Sequence, residues 1–334
     1  MKFSFSFHRY KRTFLEAFKS AYGSWQTREG FLVKLQDGDS VLLGEVCPIP
    51  AFGTETLEEA EEFLQALSEN AFSLSKEITV PENLPCCAFA ISSIFQQLED
   101  GGDACSEPVY PVAALLPAGS SLKAVFKEKL RGGFSTFKWK VGVDTFEEES
   151  ALFSEILAES SSNHTFRLDA NASLTEAECI EWLKFCQRFK QQVEFFEQPM
   201  GVGSEPVMAR LAQDYGIPIA LDESLNARAG SKWLLPNAWE GPLVVKPCLL
   251  GSVIEQTNRY LAISDQLVFS SAFETSVGLN QLLAIKAKLG SNDFALGVDT
   301  RFAFNDGYAL TVSEPEISRL SLRKSIQVLK GYAF

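Results

Sequence analysis

Lys138 and Lys140 flank Trp139 in the stretch FSTFKWKVGV, residues 134–143. Side chains alternate along a strand, so the two lysines share one face while Phe137, Trp139 and Val141 take the other. Further along, the apolar runs TFRLDAN, VEFFEQP, IPIALDES and PLVVKP carry Asp169, Glu197, Asp222 and Lys246 at or near their ends. Isolated buried carboxylates cost several kcal/mol unless neutralised, and three together repel. A bound divalent cation is the most direct way to hold them, and oxygen donors without His or Cys favour Mg²⁺ or Mn²⁺ over zinc. Beside a substrate carboxylate, such a cation neutralises the charge that builds up when the neighbouring C–H is deprotonated. A lysine accepts that proton only when neutral, so its pKa must fall well below ~10.4. Lys138 and the metal both push Lys140 in that direction. Lys138 is thus read as the tuner, Lys140 as the base, and Lys246 as the amine on the far side of a bound substrate. The same charges could form a purely structural network, but such a network need not keep to one end of consecutive strands.

These residues need a scaffold that brings strand ends together. From Val109 onward, short apolar strands alternate with amphipathic helices. The strands are VYPVAALL, FSTFKWKV, TFRLDAN, VEFFEQP, IPIALDES, PLVVKP, QLVFSSAF and FALGVD. Capping boxes at Thr145/Glu148 and Ser173/Glu176 open two of the helices. Alternating strands and helices indicate a parallel sheet, and eight strands over about 190 residues indicate an α/β fold closed as a barrel. An open dinucleotide-binding sheet would want a Gly-rich fingerprint after its first strand, where the chain has LLPAGSS. The strands' C-terminal ends form the face that carries chemistry in such barrels. Arg167 and Asn171 lie on the Asp169 side of their strand, and Ser270 and Ser271 end the seventh.

Ahead of the barrel, residues 1 to about 45 read as a strand, a loop over 13–26, and a hairpin turning at Asp37-Gly38-Asp39. A helix follows from a Thr56/Glu59 capping box, then a second apolar helix and a linker, GGDACSEP, at 101–108. The expected organisation is an α+β capping domain over 1–105, a barrel over 106–305, and a segment 306–334 folding back on the capping domain. A net charge of −13 argues against a nucleic-acid or anionic-membrane surface. No apolar run approaches the ~20 residues of a membrane span, and the N-terminus lacks a signal core. Seven cysteines without a C-x-x-C pair read as reduced buried thiols of a cytoplasmic protein. With only His8 and His164 present, acid–base work falls to Lys, Asp and Glu.

Taken together, Lys138-Trp139-Lys140, RLDAN, FEQP, LDES and VVKP resemble the strand-end pattern of the enolase superfamily, in its muconate-cycloisomerase-like group. GEVCPIPAFGTETLEEA is similar to that family's capping-domain signature, and YKRTF with GSWQTREG resembles the strands around its specificity loop. The resemblance implies a modified (β/α)8, that is (β/α)7β, barrel with Mg²⁺ (Mn²⁺ possible) on Asp169, Glu197 and Asp222. A lysine base with a metal-stabilised ene-diolate is the superfamily's chemistry. Within the group, RLDAN, SSAFETSVGL and LGVDT are similar to the o-succinylbenzoate synthase family. That likeness implies a small dicarboxylate substrate, 2-succinyl-6-hydroxy-2,4-cyclohexadiene-1-carboxylate, dehydrated to 2-succinylbenzoate in menaquinone or phylloquinone synthesis. It makes Lys140 the base and acid, Lys246 a cation over the anion's face, and Ser270 and Ser271 neighbours of the substrate's carboxylates. Glu223 is a partner to a lysine or a ligand. Related isomerases share the lysine pair, N-succinylamino acid racemase among them. Dipeptide epimerases carry D-x-D after the last strand, where this chain reads Asp299-Thr300-Arg301. Muconate cycloisomerase and a non-catalytic ligand-binding paralogue complete the alternatives.

Overall fold

The computed structural model describes residues 4–20, 23–38, 40–69, 78–100, 108–225, 228–290, 292–300, 303–308 and 313–331. Three antiparallel strands come first: β1 (Ser4–Ser20), β2 (Gly23–Asp37) and β3 (Ser40–Val46). Helices α1 (Leu57–Glu69) and α2 (Pro85–Glu99) follow. Thr56 and Glu59 exchange the two hydrogen bonds of a capping box ahead of α1. Glu55, buried, accepts from the Cys86 and Cys87 N–H groups and so caps α2. The turn between β2 and β3 carries Gly38 at φ +56°, as a tight hairpin needs.

The expected loop over 13–26 is largely strand. The β1–β2 ladder runs to Thr13↔Thr27, slips, and resumes at Phe18↔Trp25. That irregularity breaks the alternation on which a sequence reading depends. The linker residues 101–107 lie outside the described residues.

A short pair of strands, β4 (Tyr110–Pro111) with a later partner, leads into the barrel. Five parallel strands stand side by side: β5 (Ala113–Leu116), β6 (Thr136–Lys140), β7 (Thr165–Asp169), β8 (Val193–Glu197) and β9 (Ile219–Ala220). Helices α3 (Leu122–Arg131), α4 (Phe146–Glu159), α5 (Glu176–Gln187) and α6 (Glu205–Tyr215) connect them. A Leu221↔Leu243 bridge continues the ring to β10 (Leu243–Val245), which pairs in parallel with β11 (Leu267–Phe269). Two further bridges, Ser270↔Gly297 and Val112↔Leu296, carry it through the segment around Leu296 back to the start. The sheet therefore closes, and eight staves surround the axis.

Helices α7 (Val253–Tyr260) and α8 (Ser276–Leu289) cover the last crossovers, while short 3₁₀ turns replace a helix after β9. The chain ends in β12 (Glu316–Ile317), the partner of β4, and α9 (Arg319–Lys330). Leu329 of α9 packs with Tyr10, Leu32 and Leu43 of the antiparallel sheet.

Alternation sorts the core. Phe137 and Trp139 point outward beneath the helices, where Trp139 stacks 5.4 Å from Phe153 and Phe137 lies 4.9 Å from Phe126. Inside the barrel, Phe195, Ala220, Val244 and Val268 of four consecutive strands pack together. Helix α5 starts two residues later than its sequence suggests. The Ser173 hydroxyl is donated to the Ala170 carbonyl at 2.7 Å and Leu174 still pairs with Met200, so Thr175 and Glu178 form the capping box. The six described cysteines are buried free thiols. No helix among the described residues is long and apolar enough to cross a membrane.

Candidate active site

Parallel register brings the charged strand ends together. Lys140 lies opposite Asp169, and Asp169 opposite Glu197, on three adjacent staves. The Lys138 ammonium stands between two of these acids, 2.9 Å from Asp169 Oδ2 and 2.6 Å from Glu197 Oε1. Across the mouth, Lys246 pairs with Asp222. A cavity of about 140 Å³ opens over them, lined by Lys138, Lys140, Asp169, Asp222, Glu223 and Lys246. Asn171, Ser270 and Ser271 also line it, whereas Glu197 is fully buried against Lys138. Phe18 and Trp25 of the antiparallel sheet, with Phe52 from the short 3₁₀ turn after β3, supply an aromatic roof.

Burial sets the protonation pattern. It would lower Lys138, but Asp169, Glu197 and Asp222 outweigh it and hold the ammonium above the usual lysine range. Burial opposes charge on Lys246 too, and Asp222 and Glu223 again prevail. Glu197 is pushed up to about 8 by burial and by Asp169 and Asp222, against the pull of Lys138. Glu223 rises to about 9 through burial and repulsion from Asp222 and Asp169, which Lys246 offsets in part.

Among the described residues, no three acid, imidazole or thiol groups already form a metal cage. The lysines neutralise the acids instead. The donor set nonetheless fits a hard cation: three carboxylates from adjacent strand ends, all oxygen, with no competing His or Cys. Glu223 Oε2, moreover, is buried without a hydrogen-bond partner. An uncompensated carboxylate oxygen beside Asp222 is a place that a cation or a proton would satisfy.

Residues 121–253 match the family model "Enolase C-terminal domain-like", and residues 18–98 match "MenC, N-terminal domain". The o-succinylbenzoate synthase of Thermosynechococcus vestitus is 33% identical over 275 residues, spanning 80% of this chain and 84% of that protein. The chain belongs to the o-succinylbenzoate synthase family. A Vibrio cholerae member is 32% identical over 82% of each chain. The crystal structure of the Thermosynechococcus elongatus o-succinylbenzoate synthase, complexed with Mg in the active site, superposes with a TM-score of 0.81. It is 28% identical and covers 98% of this chain and 99% of that one. A dipeptide epimerase from Enterococcus faecalis shares the fold, with a TM-score of 0.76 at 18% identity over 95% of this chain and 96% of that one.

Against this family background, one expected substrate contact needs correcting. Arg167 does not reach the cavity. Its guanidinium pairs with Glu194, donates to the Ala295 carbonyl at 2.8 Å and lies 4.9 Å over the Phe195 ring, so it fills the barrel below the mouth. Ser271 is at the cavity, but its hydroxyl is engaged by Glu274, the Phe273 N–H and Thr300. Asn171 sits at φ +45°, donates its own N–H to Asp169 Oδ1 at 2.9 Å, and its side-chain amide faces Glu223. Non-glycine residues in this left-handed region mark a backbone held under strain, which is common beside active sites.

Several supporting residues were not anticipated from the sequence. Glu149 of α4, buried, accepts from the Gly142, Val143 and Asp144 N–H groups and so secures the loop after Lys140. Arg28 donates to the carbonyls of Cys47, Pro48 and Ala272, and Arg12 to those of Phe273 and Glu274. Glu45 accepts from Tyr10 Oη and from the Thr275 and Gly278 N–H groups at the start of α8. A Cβ at Gly278 would stand 2.8 Å from Glu45 Oε2, so only glycine admits this approach. Alternation hides two of them: Arg12 shares its face of β1 with Ser4, Ser6 and His8, and Arg28 its face of β2 with Gln26 and Lys34, so both read as solvent-facing.

Proposed function

We propose that the protein dehydrates 2-succinyl-6-hydroxy-2,4-cyclohexadiene-1-carboxylate to 2-succinylbenzoate, a step of menaquinone or phylloquinone synthesis. The observation that carries this reading is the meeting of Lys138, Lys140 and Lys246 with Asp169, Glu197 and Asp222 at one barrel mouth, in a chain of the o-succinylbenzoate synthase family. Asp169, Glu197 and Asp222 would hold Mg²⁺, which supplies positive charge where the substrate carboxylate gains electron density.

Lys140 Nζ takes the proton α to the ring carboxylate. The electron pair left behind moves into the ring, the C–O bond to the ring hydroxyl breaks, and the proton on Lys140 leaves with that oxygen as water. Aromatisation drives the step. Lys138, kept charged by Asp169, Glu197 and Asp222, is a fixed ammonium on the same strand face as Lys140. Lys246, also kept charged, lies 5.7 Å from the Phe52 ring and faces the delocalised anion as a cation.

Charge balance supports a dicarboxylate partner. With Glu197 and Glu223 protonated and Lys140 neutral, as a base must be, Asp169 and Asp222 balance Lys138 and Lys246; a dication that displaces the Glu197 proton would leave the mouth positive. The Asp299 carboxylate is committed: Oδ2 accepts from Lys129 Nζ at 2.5 Å and the Leu115 N–H at 3.0 Å, and Oδ1 from Ser313. It is thus withheld from a substrate ammonium, which weighs against a dipeptide substrate. Incubating the purified protein with the cyclohexadiene substrate and Mg²⁺ tests the proposal. Ultraviolet absorbance of the aromatic product is expected to rise, and its absence would overturn the reading.

A further inference from the structure

The three acids sit on separate strands, so something must set the spacing of the loops that carry them. We propose that Gln198 is the positioning residue that ties together the loops after β7, β8 and β9 and so fixes Asp169, Glu197 and Asp222 for one cation. This rests on the reading that those acids hold Mg²⁺.

Gln198 follows Glu197 directly, is completely buried, and adopts φ +31°, a conformation that non-glycine residues rarely take. Its main chain reaches both neighbours. The N–H donates to the Ala220 carbonyl at 2.8 Å, and the carbonyl accepts from the Ala172 N–H at 2.8 Å, three residues beyond Asp169. Its side chain then grips the third loop. Oε1 accepts from the N–H groups of Asp222 and Ser224 at 3.0 and 3.1 Å, and Nε2 donates to Ser224 Oγ at 2.8 Å and the Met200 carbonyl at 3.0 Å. Both amide hydrogens and both lone pairs are therefore used, and the two main-chain donors fix which way the amide faces. Ser224 passes the restraint on, donating Oγ to Glu205 Oε1 at 2.7 Å at the start of α6.

No other residue type completes this pattern. Glutamate lacks the two donors, asparagine is one methylene short, and methionine leaves the Asp222 and Ser224 N–H groups buried without an acceptor. The strained backbone at 198 is the counterpart of that reach: it turns the chain so that the side chain crosses to the β9 loop.

The test is titration of the metal-free full chain with Mg²⁺ alone, by calorimetry and by the Mg²⁺-induced shift in melting temperature. Gln198→Met is expected to bind Mg²⁺ about 10-fold or more weakly than wild type. Gln198→Asn, the milder change should the first variant fail to fold, is expected to show a smaller loss of the same kind. Leu329→Ala, a destabilising change in α9 remote from the mouth, is expected to keep wild-type affinity, which separates positioning from general loss of stability. Wild-type affinity in folded Gln198→Met or Gln198→Asn would overturn the inference. Failure of the wild-type chain to bind Mg²⁺ would instead remove the metal-site reading, and this inference with it.

Discussion

Glu197 holds a proton up to about pH 8 in the metal-free protein, although its carboxyl would ordinarily be ionised well below that. On the proposed ligand set, Mg²⁺ binding below pH 8 displaces this proton. Binding should therefore release protons, and apparent Mg²⁺ affinity should climb as pH rises from 6 to 8 and then level off. Calorimetry in buffers of different ionisation heat measures the release directly. Glu197→Gln should bind Mg²⁺ more weakly and lose most of this pH dependence. An unchanged affinity would remove Glu197 from the ligand set. The residues themselves were legible in the sequence, because lysines and acids ending apolar runs stand out against their neighbours. Arg167 was misassigned for the same reason: alternation places it on the Asp169 side of β7, but only the tertiary packing with Glu194 and Phe195 tells depth along the axis.

At the scale of elements, the loop after β6 aims Lys140. The buried Glu149 carboxylate accepts three consecutive N–H groups there, at 2.7, 3.0 and 3.2 Å. Glu149→Ala removes the shared acceptor of three N–H groups in an exposed loop, where water replaces it in part, at a cost of ~1 kcal/mol. Turnover should fall by about 10-fold with little change in Mg²⁺ affinity, since a misaligned base loses rate while the acids remain in place. Steady-state kinetics beside a Mg²⁺ titration would check this; wild-type turnover would show that the loop holds its shape unaided. The barrel staves were readable because each is a short apolar run and most are followed by an amphipathic helix, although 3₁₀ turns stand in for the helix after β9. The start of α5 was not, because Ser173 and Thr175 are both good caps and the choice is made by Leu174 pairing with Met200 in a neighbouring loop. Nor was the β1–β2 arm, whose Phe14 and Phe18 find their partner, Phe273, only on the assembled barrel.

For the whole molecule, the antiparallel sheet and the barrel act as one site. Arg28 reaches from β2 to the Ala272 carbonyl at 3.0 Å, next to Ser271 in the cavity wall, while holding the Pro48 carbonyl at 2.6 Å beneath the aromatic roof. Arg28→Met should destabilise the fold by ~3 kcal/mol, because several buried carbonyls lose a charged donor together. It should also raise KM more than it lowers kcat, since roof and wall loosen while the lysines and acids keep their supports. Urea denaturation and steady-state kinetics measure the two effects; a purely stability-related change would place Arg28 outside substrate binding. These contacts join main-chain groups hundreds of residues apart, and no periodicity encodes them.

On the proposed mechanism, Lys140 moves the proton at a mouth whose acids hold the metal. The most direct test is Lys140→Ala, assayed for product with Mg²⁺ binding and melting temperature measured on the same sample. A folded protein that binds Mg²⁺ and forms no detectable 2-succinylbenzoate is expected. Appreciable turnover by that variant would contradict this mechanism.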